Sequence, residues 1–120
     1  MQQFEGTILA GDSFDPIGGR VVVDDGRIAS VEEAATESTD IILPAFVNAH
    51  THIGDSVAKE AGVGLDLDAA VAPPDSEKHR RLADASREEL VAAMGRTLRF
   101  MEQTGTAAHL DFRESGEAGT

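Results

Sequence analysis

Between Ser86 and Gly105 the chain carries the pattern of one capped amphipathic helix, set between two apolar, β-prone segments. "SREE" has capping-box spacing, with Ser86 as N-cap and Glu89 reaching back to it. Leu90, Val91, Met94, Leu98 and Met101 then recur at helical spacing on one face. Gly105 stops the helix, as glycine commonly does at a helix C-terminus. "IILPAFVNAHTHI", with Pro44 marking a break near its start, precedes this helix and "TAAHLDF" follows it, and both read as strands. Strand, long loop, helix and strand in that order predict a βαβ unit, which favours a parallel α/β arrangement.

The region before it, residues 1–42, predicts strands of another kind. "FEGTILA" is a short candidate, and "GGRVVVDDGRIASVEE" is a stronger one. Its Val21–Val23 run, the Asp24-Asp25-Gly26 break and then Ile28 and Val31 predict a β-hairpin, since Asp-Gly tolerates the positive φ that a tight turn needs. "EEAATESTD" is polar and reads as a connection. Two portions are therefore expected: a β-rich segment over 1–42 and an α/β portion over 43–120.

Composition mainly excludes. The 120 residues contain no cysteine, so disulfides and thiolate metal sites are out. No apolar run is long enough for a membrane helix, and the N-terminus lacks the order of a signal peptide, so a cytoplasmic location is expected. Asp and Glu number 22 against 10 Lys and Arg, a net charge of −12. The acids are spread along the chain, and 41% hydrophobic residues with clear periodicity predict a folded protein with an acidic surface, as in proteins from a salt-rich cytoplasm. Such a surface repels nucleic acid and anionic membrane, so neither is an expected partner.

The chemistry-bearing motif is His50-Thr51-His52 at the end of the first strand of the α/β portion. On a strand, residues i and i+2 face the same side, so the two imidazoles can reach one divalent ion. Alternation would put Phe46 and Asn48 on their face and Val47, Ala49 and Thr51 on the other. A bare His-x-His triplet carries little information, however, and two ordinary surface histidines are the alternative.

The wider stretch Pro44-Ala45-Phe46-Val47-Asn48-Ala49-His50-Thr51-His52, following the "VVVDDGRIASV" hairpin, resembles the start of the amidohydrolase superfamily. Ala45 stands where that family usually has glycine. Asn48 stands where its hydantoinase and dihydroorotase branch has aspartate, so "VNAHTH" looks more like the cytosine and guanine deaminase branch. The resemblance implies a β-rich N-terminal segment followed by the first one to two units of a truncated (β/α)8 TIM-type barrel. It also implies a metal-dependent hydrolase or deaminase acting on non-peptide C–N bonds of cyclic amides or amidines. His50 and His52 would be metal ligands, with zinc expected and iron or manganese as alternatives. A barrel unit takes roughly 30 residues, so the chain would end near strand two, before the family's later ligands and its general acid/base.

Four further residues are candidates for substrate binding or for supporting the histidines: Asn48, Asp55, Asp111 and Arg113, the alternative for the last two being a structural salt bridge between them at the strand end. Alternation in "HLDFRES" would put His109, Asp111 and Arg113 on one face, and Ala108, Leu110 and Phe112 on a helix-packed face. The long segment "GVGLDLDAAVAPP" is expected to cover a small-molecule substrate. His79 reads as exposed and Lys59-Glu60 as solvated charges. Different classes of function stay open: an inert remnant serving as a small binding or scaffold module, or half of a site completed by a partner chain. A two-strand sheet with open edges also implies a marginal, aggregating or homo-oligomeric chain when isolated.

Overall fold

The computed structural model describes residues 1–113 and divides the chain into two compact units, Met1–Ala45 and Phe46–Thr120. The first unit is a four-stranded mixed sheet in the order β3-β2-β1-β4, with β1 Gln2–Ala10, β2 Asp15–Asp24, β3 Arg27–Glu33 and β4 Ile41–Ile42. β1 and β2 pair antiparallel without interruption, from Gln2 against Val23 to Ala10 against Asp15. β2 and β3 are joined where the Asp-Gly pair places a turn. Asp25 and Gly26 have φ of 47° and 71°, the two positive values that let a two-residue loop match the twist of its strands. Ile8, Val21 and Val22 are the buried side chains here, supplied by the two central strands. Gly19 has no room for a side chain, because a Cβ there would collide with the backbone carbonyl of Glu32. Across β2 and β3, Arg20 and Glu32 are register partners and form an ion pair with Nη2–Oε2 of 2.6 Å.

The apolar run from Ile41 onward is two elements and not the one strand its hydropathy predicts. Ile41 and Ile42 pair in parallel with Thr7 and Ile8 of β1, and the chain leaves that sheet at Leu43–Ala45. Pro44 cannot donate to a ladder, which is reason enough for the interruption. The second unit then begins with β5, Phe46–Thr51. A 3₁₀ helix over Ile53–Ala58 follows, then α1 Leu67–Val71, α2 Glu77–Asp84, α3 Arg87–Gln103 and β6 Thr106–Asp111.

Helix α3 forms as its sequence dictates. Ser86 Oγ accepts the Glu89 N–H, and the Glu89 carboxylate accepts the Ser86 N–H at 2.8 Å, so both halves of the capping box are present. The Ser86 hydroxyl, donating to the Glu89 carboxylate at 2.7 Å, and then the Ser86 N–H hold that carboxyl below its ordinary pKa. Helix α3 packs on the 3₁₀ helix and β6, with Ile53, Ala58 and Ala93 buried. β5 and β6 are parallel neighbours, so this unit contains one strand–helix–strand crossover.

The expected start of a (β/α)8 barrel is not what the chain forms. Among the described residues there are two separate sheets, one mixed with four strands and one parallel with two. Neither is closed, and the strand–helix unit is not repeated. Closure depends on strand number, tilt and shear acting together, and these are not encoded in one crossover. The pattern that predicted the crossover therefore carried no information about closure. No described helix is long and apolar enough to cross a membrane.

Candidate metal centre

His50 and His52 project toward each other from the end of β5, with their Nε2 atoms 3.0 Å apart and ring centroids 5.1 Å apart. Both are exposed. At that distance only one of the two nitrogens can carry the shared proton, so at least one presents a bare lone pair toward the other. His50 lies in β5 and His52 just past its end, beside an irregularity in the β5–β6 register. Asn48 pairs with His109 and Thr51 with Asp111, three residues of advance on β5 against two on β6. The additional residue lies in the stretch that contains His50. Such an irregularity re-aims side chains, and strict alternation does not describe it.

Side chains hold the backbone around each histidine. The Asn48 Oδ1 accepts the His50 N–H at 3.2 Å. On the other side, Asp111 Oδ1 accepts the Ile53 N–H at 2.7 Å and the Thr51 hydroxyl at 3.0 Å. Phe112 supplies an apolar wall. Its ring lies 4.6 Å from that of His50 and 6.0 Å from that of His52, centroid to centroid, and its N–H donates to the Thr51 carbonyl at 2.8 Å. The sequence assigned Phe112 and Leu110 to a helix-packed apolar face. Both remain more than half exposed, and Phe112 instead belongs to the histidine cluster. Its position one residue past the strand end could have signalled this.

The other candidates are placed as follows. Arg113 does not stand open toward a substrate: its Nε lies 2.7 Å from Asp111 Oδ2, and one Nη meets the Met94 sulfur on α3 at 3.3 Å. The Arg113–Asp111 approach is an ion pair and not an aligned hydrogen bond, since Oδ2 is buried without a hydrogen-bond partner among the described residues. Burial by itself would raise the Asp111 pKa; the Ile53 N–H, the Thr51 hydroxyl, Arg113 and His109 outweigh it and hold the carboxyl below its ordinary value. His109 lies on the same side as Asp111, as alternation predicts: the Thr51 hydroxyl stands 3.4 Å from His109 Nδ1 and 3.0 Å from Asp111 Oδ1. Asp55 touches His52 only through its backbone, its N–H donating to the His52 carbonyl at 3.0 Å, while its carboxylate pairs with Lys78 at 3.2 Å. His79 is half-buried, bonded to the buried Ser76 hydroxyl at 2.8 Å, and not on an open face. The segment expected to cover a substrate contains α1, which packs against α2.

The histidine pair fits one part of a metal site. Two imidazole nitrogens at roughly 2.0–2.1 Å from a tetrahedral zinc stand about 3.3 Å apart, so the 3.0 Å gap needs to open only slightly. A catalytic zinc takes three protein ligands. Among the described residues no cluster of three or more His, Cys, Asp or Glu side chains could hold an ion, so the remaining donors would come from elsewhere.

Comparison with curated proteins adds a name to the geometry. The chain is 36% identical over 121 aligned positions to a protein of Methanothermobacter thermautotrophicus named "Putative aminohydrolase", covering 95% of this chain and 32% of that protein. A protein of the same name from Archaeoglobus fulgidus is 39% identical over 89 positions, 73% of this chain and 26% of its own length. An uncharacterized protein of Methanocaldococcus jannaschii is 34% identical over 116 positions, 92% of this chain and 30% of its own. The chain thus spans about a third of the length of the curated relatives it matches. No family model and no solved structure matches it.

Proposed function

We propose that this chain supplies two ligands, His50 and His52, to the divalent metal of a hydrolase or deaminase acting on non-peptide C–N bonds. The observation that carries the reading is the 3.0 Å convergence of the two Nε2 atoms. The relatives' name supports the reaction class at its coarsest, hydrolysis at a C–N bond. Cyclic amides or amidines are the proposed substrates, zinc the proposed ion with iron or manganese as alternatives, and the amidohydrolase superfamily the proposed family.

A bound divalent ion would lower the pKa of a coordinated water and polarise the bond to be cleaved. The chain's own residues act before that. His50 and His52 must present neutral Nε2 lone pairs, with their protons on Nδ1. Asn48 fixes the backbone entering the pair. Phe112 holds one flank of the His50 ring and keeps water from that side. The general acid/base and the remaining ligands would come from outside the described residues, either farther along the polypeptide or from a partner chain.

A different reading, an inert binding or scaffold module with a weak two-histidine site, is favoured by the missing third donor among the described residues. Metal content and ammonia release of the full-length protein decide between them. The enzyme reading expects about one ion per chain, lost together with ammonia release from cyclic amidines in His50→Ala and His52→Ala. Metal binding without turnover across a panel of cyclic amides and amidines would favour the inert module.

A further inference from the structure

We infer that Asp111 is the positioning residue of the pair, setting where the His52 ring stands by holding both of its neighbours in the chain. This rests on the reading of His50 and His52 as metal ligands. A single oxygen, Oδ1, accepts the N–H of Ile53, the residue after His52, and shares with the Leu110 carbonyl, each at 3.0 Å, the hydroxyl of Thr51, the residue before it. His52 has φ −126° and ψ 66°, where the chain passes from β5 into the 3₁₀ helix. Two backbone bonds flank it, from the Phe112 N–H to the Thr51 carbonyl and from the Asp55 N–H to the His52 carbonyl, and the Asp111 carboxylate adds a hold on the residues to either side. Ile53 is 4% exposed, and losing its acceptor would leave a buried N–H without a partner. Relief of that cost would move the backbone beside the ligand.

Two other roles for Asp111 fit less well. As a ligand it would have to surrender Oδ1, which already accepts two hydrogen bonds, or part Oδ2 from Arg113. As a carboxylate orienting an imidazole in the usual manner of metal sites it would bond a ring nitrogen. Its bonds run to the hydroxyl and backbone beside the ring instead. Asp111 comes from β6, 59 positions after His52, so the clamp also ties ligand geometry to the β5–β6 pairing.

The test compares zinc affinity, by competition with a chromophoric chelator, in full-length wild type, Asp111→Ala, Asp111→Asn and Thr51→Val. Amide exchange at Ile53 is followed in the same four proteins. Asparagine keeps an Oδ1 that can accept both hydrogen bonds, while it loses the charge and turns an NH2 group toward Arg113 in place of Oδ2. Asp111→Ala is expected to weaken zinc binding roughly tenfold or more, the usual scale for losing a supporting partner. Asp111→Asn is expected to stay nearer to wild type than to Asp111→Ala. Thr51→Val should weaken binding in the same direction by less, and Ile53 exchange should accelerate in Asp111→Ala alone. Should Asp111→Ala fail to fold, Thr51→Val and Asp111→Asn carry the decision. Unchanged affinity in Thr51→Val and folded Asp111→Ala, or Asp111→Asn as weak as Asp111→Ala, would overturn the clamp. Wild type that takes up no zinc would overturn the ligand pair itself, with Ile53 exchange still reporting whether Asp111 holds that backbone.

Discussion

The two units of the chain solve opposite problems. In the first, β1 and β2 pair over nine consecutive residues without a slip, and the three long strands follow one another through short turns. In the second, two short parallel strands are separated by the 54 residues between Thr51 and Thr106, and they slip register twice in six residues. The four-stranded sheet, whose one slip lies between β2 and β3 at Val22/Val23, carries no candidate chemistry, whereas His50 lies within a slip of the β5–β6 pairing and His52 just past the end of β5. Regular pairing spends every side chain on alternation between two faces. A slip re-aims a position, and one lies at His50, whose Nε2 stands 3.0 Å from that of His52.

The contrast can be broken from either side. The largest effect is expected in the regular sheet, where Ile8 is 3% exposed and its truncation leaves a cavity. Ile8→Ala should destabilise the first unit by about 2–5 kcal/mol, measured by denaturant unfolding followed at its amides. Gly19→Ala forces a Cβ against the Glu32 carbonyl, and about 1–3 kcal/mol should be lost as β2 and β3 move apart. A full-strength β2–β3 pairing after that substitution, read from cross-strand amide exchange, would contradict the close packing described. In the second unit, Ser86→Ala removes the acceptor for the Glu89 N–H and should cost about 1 kcal/mol, appearing as faster exchange in the first turn of α3.

Acid probes the irregular unit more gently. The Asp111 carboxyl is held below its unfolded value of about 3.9, so it binds protons more readily when the chain unfolds. Its stabilising contribution is complete above that value and disappears as pH falls through the lower, folded one. Between roughly pH 5 and pH 2, wild type should therefore lose more thermal stability than Asp111→Asn. Parallel curves for the two proteins would show that the carboxylate is not selectively stabilised in the folded chain.

What could be read in the sequence follows the same division. The Asp25-Gly26 turn and the Ser86–Glu89 capping box are decided by residues within three positions of one another, and both form as their residues imply. The β5–β6 crossover was also legible, because two apolar strands flank one amphipathic helix. What lay hidden depends on register. The insertion between Asn48 and Thr51 is set by which residues of two distant strands meet, and no local pattern announces it. The same holds for Phe112 against His50 and for Asp111 beneath Thr51 and Ile53. Pro44 was visible as a break, but not that the two sides of it join different sheets. Closure of a barrel was inferred from resemblance, and the two open sheets correct it.

Nuclear magnetic resonance of the histidine ring nitrogens, in full-length protein labelled at histidine and titrated with zinc, tests the central claim most directly. A ligand pair requires the Nε2 resonances of His50 and His52 to move together and saturate at one equivalent, with the proton of each ring settled on Nδ1. Rings that respond separately, or resonances that stay where they were while zinc exceeds protein, would mean that the 3.0 Å approach is a hydrogen bond between two surface histidines and no metal site.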